Sequence, residues 1–412
     1  MTMRPSLLTL AVFATTLLLS GGAQAKAPNA SLKVASLKVE RTVLVMRHGV
    51  RPPTKAPAMP QGVAAQAWPD WPVAPGWLTP HGGLAVERLG TADALRFRAQ
   101  GLLPRHGCPS AAAVRIVADS DQRTIETARH WTRALAPACA LAIDHKPQDE
   151  NDPRFDPLRS GLAKLDPAQA MAAVEAATGP DGMAALDRAN RPLLTRLDAI
   201  LCGPATSACG VSTNPSVLVS GKAGGRPKMS GALDQASTAA QVLLLEYGEG
   251  KPLSEVGWGR ASAADIAALS AFHALEFRLL ARPPVIAAAS LAGLTPVIRE
   301  GLSGSAKVTL IAGHDTNVAN LAGLLDAHWH VPGFAADDPA PGGAIVLELL
   351  RDADGTRFVR AAYRAQTLDQ IRTAAPLAKA WRTPLTIGRC TTRIAPDTCP
   401  LDDFLKLLEN LS

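Results

Sequence analysis

The sequence predicts an α/β fold interrupted by a helical insertion, on three observations. Apolar runs with strand propensity recur at 41–46, 113–118 and 307–312, and each ends in a polar turn. The second and third lead straight into helical periodicity, the alternation expected of a parallel sheet covered by helices. From 156 to 295 strand signal almost vanishes and alanine-rich helical segments take over. The expected division is a leader at 1–25, a first α/β part at 38–155, a helical cap insertion at 156–295 and a second α/β part at 296–412.

The leader opens with Arg4, continues as an apolar run from Leu7 to Leu19, and ends Gly21-Gly22-Ala23-Gln24-Ala25. A positive start, a hydrophobic stretch and a small-x-small end predict a secretory signal cut after Ala25. The run falls short of the ~20 residues that span a bilayer, so a periplasmic or secreted protein free of the membrane is expected. Residues 26–40 read as a mobile lead-in.

The first strand, 41–46, runs into Arg47-His48-Gly49-Val50-Arg51-Pro52-Pro53-Thr54. A buried strand ending in a cationic turn puts an imidazole beside guanidinium groups suited to phosphate. The imidazole can act as nucleophile while the arginines hold the group it attacks. Prolines 52, 53, 57, 60, 69 and 72 make the stretch to Gly76 a long irregular loop, with Trp68, Trp71 and Trp77 expected to pack it down. Thr79-Pro80 then provides a hydroxyl cap and a first-turn proline for a helix reaching towards Gly101.

The second strand, 113–118, ends in Asp119-Ser120-Asp121-Gln122-Arg123-Thr124, with a helix expected from about Thr124 to before Pro137. Arg123 in that first turn adds a guanidinium to free backbone N–H groups, a natural anion site. It could equally pair with Asp119 or Asp121 as support. Within the insertion, helices are expected at 168–177, 183–201, 233–247 and 261–281, with the Gly/Pro/Ser-rich stretch 203–231 separating them.

The third strand, 307–312, ends in Gly313-His314-Asp315-Thr316-Asn317 and a helix from 318 to 327. Asp315 or Thr316 could serve merely as its N-cap. Strands at 344–350 and 358–363 complete the sheet.

Strand ends in open α/β sheets converge on one crevice, so Arg47, His48 and Arg51, Arg123, and His314 with Asp315 are expected to meet. His48 would attack phosphorus and form a phosphohistidine, while Arg47, Arg51, Arg123 and His314 neutralise the phosphoryl oxygens. Asp315 in its acid form would protonate the leaving oxygen. Neighbouring cations lower its pKa, which predicts an acidic optimum.

Six cysteines in an oxidising compartment predict disulfides. Cys108 and Cys139, Cys202 and Cys209, and Cys390 and Cys399 form three local pairs in sequence, one of 15 pairings that six cysteines allow. The formal charge of +6, or +5 once Arg4 leaves with the signal, suits a small anionic ligand. No basic run with interleaved aromatics points to nucleic acid.

Arg47-His48-Gly49-Val50-Arg51-Pro52-Pro53-Thr54 together with His314-Asp315 resembles the paired signature of the histidine acid phosphatases. The segments 67–73, 76–80, 257–260 and 341–343 resemble the bacterial periplasmic phytase and acid phosphatase branch. The resemblance implies a phosphoglycerate-mutase-like central mixed sheet flanked by helices, an inserted α-helical cap, phosphomonoester hydrolysis, and neither metal nor cofactor. It also places Thr54 near the phosphate and Lys55 at the substrate rim. Two departures stand out. Enteric members carry a fourth disulfide, and both of its cysteines are missing here. They also carry a phytate-contacting arginine on the cap, where this chain has Ser290 beside Ala287, Ala288 and Ala289.

The expected activity is therefore hydrolysis of phytate and other small phosphate esters by a monomer. A sugar-phosphatase resembling glucose-1-phosphatases is the alternative within the same chemistry. A non-catalytic periplasmic phosphate-binding protein would use the arginines but has no need of Asp315. A metallohydrolase would need more than His328-Trp329-His330, which lacks accompanying ligands. His81, His106, His130, His145 and His273 are expected to be surface or packing residues.

Overall fold

The computed structural model describes residues 37–204, 209–221 and 224–409; the leader expected at 1–25 lies outside them. The chain opens with β1 (Lys38–Arg47), the loop, α1 (Pro80–Ala99), β2 (Val114–Ala118) and α2 (Gln122–Leu135). The insertion region contributes α3 (Pro157–Ser160), α4 (Pro167–Thr178), α5 (Gly182–Cys202), the hairpin strands β3 (Val217–Val219) and β4 (Lys228–Ser230), and α6 (Ala232–Gly248). It continues through α7 (Ala263–Leu269), α8 (Ala271–Leu280) and α9 (Pro284–Leu291), and α10 (Thr295–Ser303) returns to the main sheet. After β5 (Val308–Gly313) and α11 (Asp315–Leu325) come β6 (Ala344–Arg351), β7 (Arg357–Ala365), α12 (Leu368–Thr373), β8 (Trp381–Pro384), β9 (Thr398–Pro400) and α13 (Leu401–Glu409).

The main sheet is mixed, in the order β2-β5-β1-β6-β7-β8, with β9 pairing β7. β1 runs parallel to β5 and antiparallel to β6, while β2 runs parallel to β5. Register pairs Arg47 with Gly313 and Ala118 with Ala312, so three strands finish side by side. Successive β1 residues feed opposite faces, as the pleat requires. Leu44 and Met46 pack with Leu89, Phe97, Trp131 and Leu135 of α1 and α2. Val43 and Val45 join Ile298, Leu302, Val318, Leu321 and Phe404, a core continuous with the helices of the insertion. Residues buried on both faces explain why β1 reads as an unbroken apolar run.

Local chemistry sets the element ends. Thr79 Oγ1 accepts from Gly82 N at 2.8 Å, with Pro80 in the first turn of α1. Gly82 lets that helix press against the loop after His48, because a Cβ there would lie 2.3 Å from Val50 O. Disulfides join Cys108 to Cys139, Cys202 to Cys209 and Cys390 to Cys399. Trp68 stacks near Trp258 at 4.9 Å and Trp71 lies under the Lys251 ammonium, which hold the proline-rich loop down. Trp77, by contrast, is 45% exposed and does not anchor the loop in this way.

Three details depart from the sequence reading. The separator 203–231 contains the β3–β4 hairpin, whose three-residue strands, with Leu218 and Met229 facing the core and Val217 and Val219 outward, are too short for alternation to show. The helix read at 261–281 breaks at Ser270, with α7 starting at a Ser262–Asp265 capping box. The tail adds β8 and β9, short edge pieces too rich in proline to read as strands.

Candidate active site

Parallel pairing of β1 and β5 brings His48 and His314 together, their rings 5.7 Å apart and nearly perpendicular. Backbone bonds fix the turn after β1: His48 N donates to Gly313 O at 2.9 Å and Gly342 N to His48 O at 3.0 Å. Gly49 N donates to Thr127 Oγ1 of α2 at 3.0 Å.

His48 is 1% exposed, and its Nδ1 lies 2.8 Å from Gly49 O. A carbonyl can only accept, so the proton sits on Nδ1 and the Nε2 lone pair is free. Arg51 Nε donates towards that Nε2 at 3.4 Å. Burial depresses the imidazole pKa well below its ordinary value, and Arg51, Arg123, Arg47 and His314 lower it further. Both causes bias the ring towards its neutral form. Burial and the neighbouring Arg123 also bring the Arg51 guanidinium down to about 9.

Arg47 is equally buried. Its Nη1 donates to Pro339 O, and its Nη2 donates to Gln241 Oε1 of α6 at 2.9 Å. The same Nη2 stands 3.1 Å from Asp315 Oδ2. Arg123 Nη2 lies 2.7 Å from Asp121 Oδ2 and 3.4 Å from His314 Nδ1. Both readings of Arg123 thus hold geometrically: it pairs with an aspartate and it faces the strand-end cluster. Asp119 orients His314, its Oδ2 lying 2.6 Å from the ring Nε2.

Asp315 opens α11 rather than capping it; His314 is the N-cap, with its N–H bonded to Asn317 Oδ1 at 2.9 Å. Burial pushes the Asp315 carboxyl upward. Arg47, His273, His48 and Arg51 together outweigh burial and hold it well below the ordinary carboxylate range.

A cavity of about 640 Å³ opens over this cluster, lined by Arg51, Thr54, Lys55, Gln241, His273 and Asp315 among others. Thr54 and Lys55 are exposed at its rim. The cluster thus gathers an imidazole biased to its neutral form, several cations and a carboxyl around one cavity.

Sequence reasoning missed His273. It is buried on α8, not a remote packing residue, with Nε2 3.8 Å from Asp315 Oδ2 and Nδ1 2.6 Å from Asp338 Oδ1. Nothing near position 273 signals this role, since its partners lie far along the chain. Gln241 was missed for the same reason. His328 and His330 turn to separate partners, Asp337 and Phe334 O, in a loop rather than on a strand. Among the described residues the one group spaced for a metal is Asp119, Asp121 and His314, whose acceptors already serve Arg123 and the imidazole.

A sequence profile of the histidine phosphatase superfamily (branch 2) matches residues 38–207 and 285–364, more than half of the chain. The chain belongs to that family. Phytase AppA of Escherichia coli K12 is 34% identical over 90% of this chain and 91% of its own length. The glucose-1-phosphatase of Salmonella typhimurium LT2 is 27% identical over 98% of both chains. The structure of Hafnia alvei phytase in complex with tartrate superposes with a TM-score of 0.85 at 34% identity, covering 91% of this chain and 97% of that one. Hafnia alvei phytase in complex with myo-inositol hexakis sulphate gives 0.84 at 33%, covering 91% and 97%. The mixed sheet flanked by helices is the histidine phosphatase fold, and the protein is a phosphomonoesterase of the acid phosphatase type.

Proposed function

We propose that this histidine phosphatase hydrolyses phytate, through a phosphohistidine on His48. The observation that carries the reading is the His48 ring: Nδ1–H tied to Gly49 O, Nε2 unprotonated with only a long Arg51 contact, and its charge suppressed by burial. Nε2 attacks phosphorus, and the bond from phosphorus to the ester oxygen breaks. Asp315 gives its proton to the departing oxygen. Water then attacks the phosphohistidine, Asp315 takes a proton from it, and inorganic phosphate leaves with Nε2 restored. Arg47, Arg51, Arg123 and His314 hold the phosphoryl oxygens, with Thr54 beside them and Lys55 meeting outer substrate charge.

Asp315 must be protonated to act, yet Arg47 and His273 keep it ionised in the free enzyme. A bound phosphate ester adds negative charge beside the carboxyl and offsets those cations. A monoanionic ester also brings a proton with it. The first keeps the acid form of Asp315 available at milder pH, and the second favours work in acid.

Phytase relatives at 34% and 33% identity favour phytate, and the 27% identical glucose-1-phosphatase keeps a sugar-phosphate reading alive. Initial rates on phytate, glucose 1-phosphate and p-nitrophenyl phosphate at pH 4–6 decide between them. Preference for glucose 1-phosphate would reverse the substrate assignment, and no p-nitrophenol release would return the protein to the phosphate-binding reading. The reading includes export to an oxidising space such as the periplasm, in keeping with three disulfides, and action as a monomer. Among the described residues no single helix is long and apolar enough to cross a membrane.

A further inference from the structure

We infer that Arg226, at the root of β4, is the cap cation that grips a second phosphate of a polyphosphorylated substrate. This rests on the phytate reading above and names the residue that would make phytate preferred over simple esters. Arg226 lines a cavity of about 250 Å³ together with His314, Thr316 and Ser290. It also lines an adjoining cavity of about 800 Å³ with Asp234, Glu276 and Thr316. It therefore stands where two hollows meet, beside the first turn of α11.

Its guanidinium has no hydrogen bond and no ion pair within 4 Å among the described residues, a rare state for a partly buried arginine here. Burial lowers its pKa, while Asp156, Glu276 and Asp315 pull it back, so its charge reaches the carboxyl that faces His48. A cation drawn partly out of water with no direct hydrogen bond is costly, and a phosphate offers a bidentate match that repays the cost. Ser290 of α9 lines the same smaller cavity, 5% exposed, its Oγ without a hydrogen-bond partner. Arg159 of α3 lines the same two cavities but is exposed, so among these cations Arg226 is the part-buried one, set against Asp119, Asp121, Asp149, Glu150, Asp152 and Asp156 of the smaller cavity.

The test compares Arg226→Ala and Arg226→Lys with the unchanged enzyme, measuring kcat and KM on phytate and on p-nitrophenyl phosphate. Loss of one charge-assisted contact predicts a rise in KM for phytate of roughly 10- to 100-fold in Arg226→Ala. Arg226→Lys should fall between, and values for p-nitrophenyl phosphate should stay within about twofold, since a monoester does not reach so far. Adding Ser290→Arg to Arg226→Ala should recover much of the affinity for phytate. Phytate turnover unaltered in Arg226→Ala, or equal losses on both substrates, would overturn the inference. An unchanged enzyme that leaves phytate intact would sink the substrate reading first, and this assignment with it.

Discussion

Nη2 of Arg47 stands 3.1 Å from Oδ2 of Asp315, joining the last residue of β1 to the first of α11. The proposed phosphate-holding cation and the proposed proton donor are thus one electrostatic unit. Altering either changes the other.

His48→Ala removes the nucleophile and should lower turnover by about 10⁴-fold or more on every ester. The imidazole makes one side-chain bond to its neighbouring carbonyl and one long contact to Arg51, so the variant should fold. Rate assays and thermal unfolding check both halves. Residual activity near the unchanged level would remove His48 from the mechanism.

Asp315→Asn should cost about 10²- to 10⁴-fold on alkyl phosphates. p-Nitrophenyl phosphate should suffer far less, because its phenolate departs unaided. Equal losses on both classes of ester would mean that Asp315 does not donate a proton.

His273→Leu deletes a group that holds the Asp315 carboxyl low, so that pKa should rise. For alkyl esters the basic limb of the kcat/KM profile should then move to higher pH. Buried Asp338 loses its partner as well, which predicts destabilisation of about 1 to 3 kcal/mol. A pH profile that does not shift would confine His273 to packing.

Glu246 of α6 is fully buried, with one carboxyl oxygen unpartnered, and burial pushes its pKa up to about 8. The unfolded chain titrates near 4.5, so the native state holds a proton that the unfolded state releases. Stability is greatest below that value and falls as pH climbs from about 4.5 to about 8, by roughly 3 to 5 kcal/mol. Glu246→Gln should erase this loss. Thermal melts at pH 4.5 and 8 read the difference; parallel curves for the two proteins would contradict it.

Gly82→Ala would drive a methyl into Val50 O and N, backbone atoms of the turn between His48 and Arg51. A cost of about 1 to 3 kcal/mol is expected, with kcat/KM reduced alike on all substrates. Retention of full activity would show that the turn tolerates displacement.

The strand-end residues were legible because each follows directly on a buried apolar run: 43–46 into Arg47 and His48, 308–312 into His314 and Asp315. Parallel pairing then does the rest. What sequence concealed lies on the insertion, where Gln241, His273 and Arg226 come from separate helices and a hairpin. Helical periodicity announces which residues are buried, but carries nothing about the strand they will face. The hairpin escaped because its strands are three residues each, too short for alternation to register.

β1 is bonded to β5 on one edge and to β6 on the other. A segment so anchored cannot yield when bulky guests arrive, so accommodation must come from the proline-rich loop and the elements overhead. The reactive step and the choice of guest can consequently be tuned by separate sets of mutations: changes at positions 55, 226 or 290 should re-rank substrates while leaving the intrinsic rate on a minimal ester almost untouched.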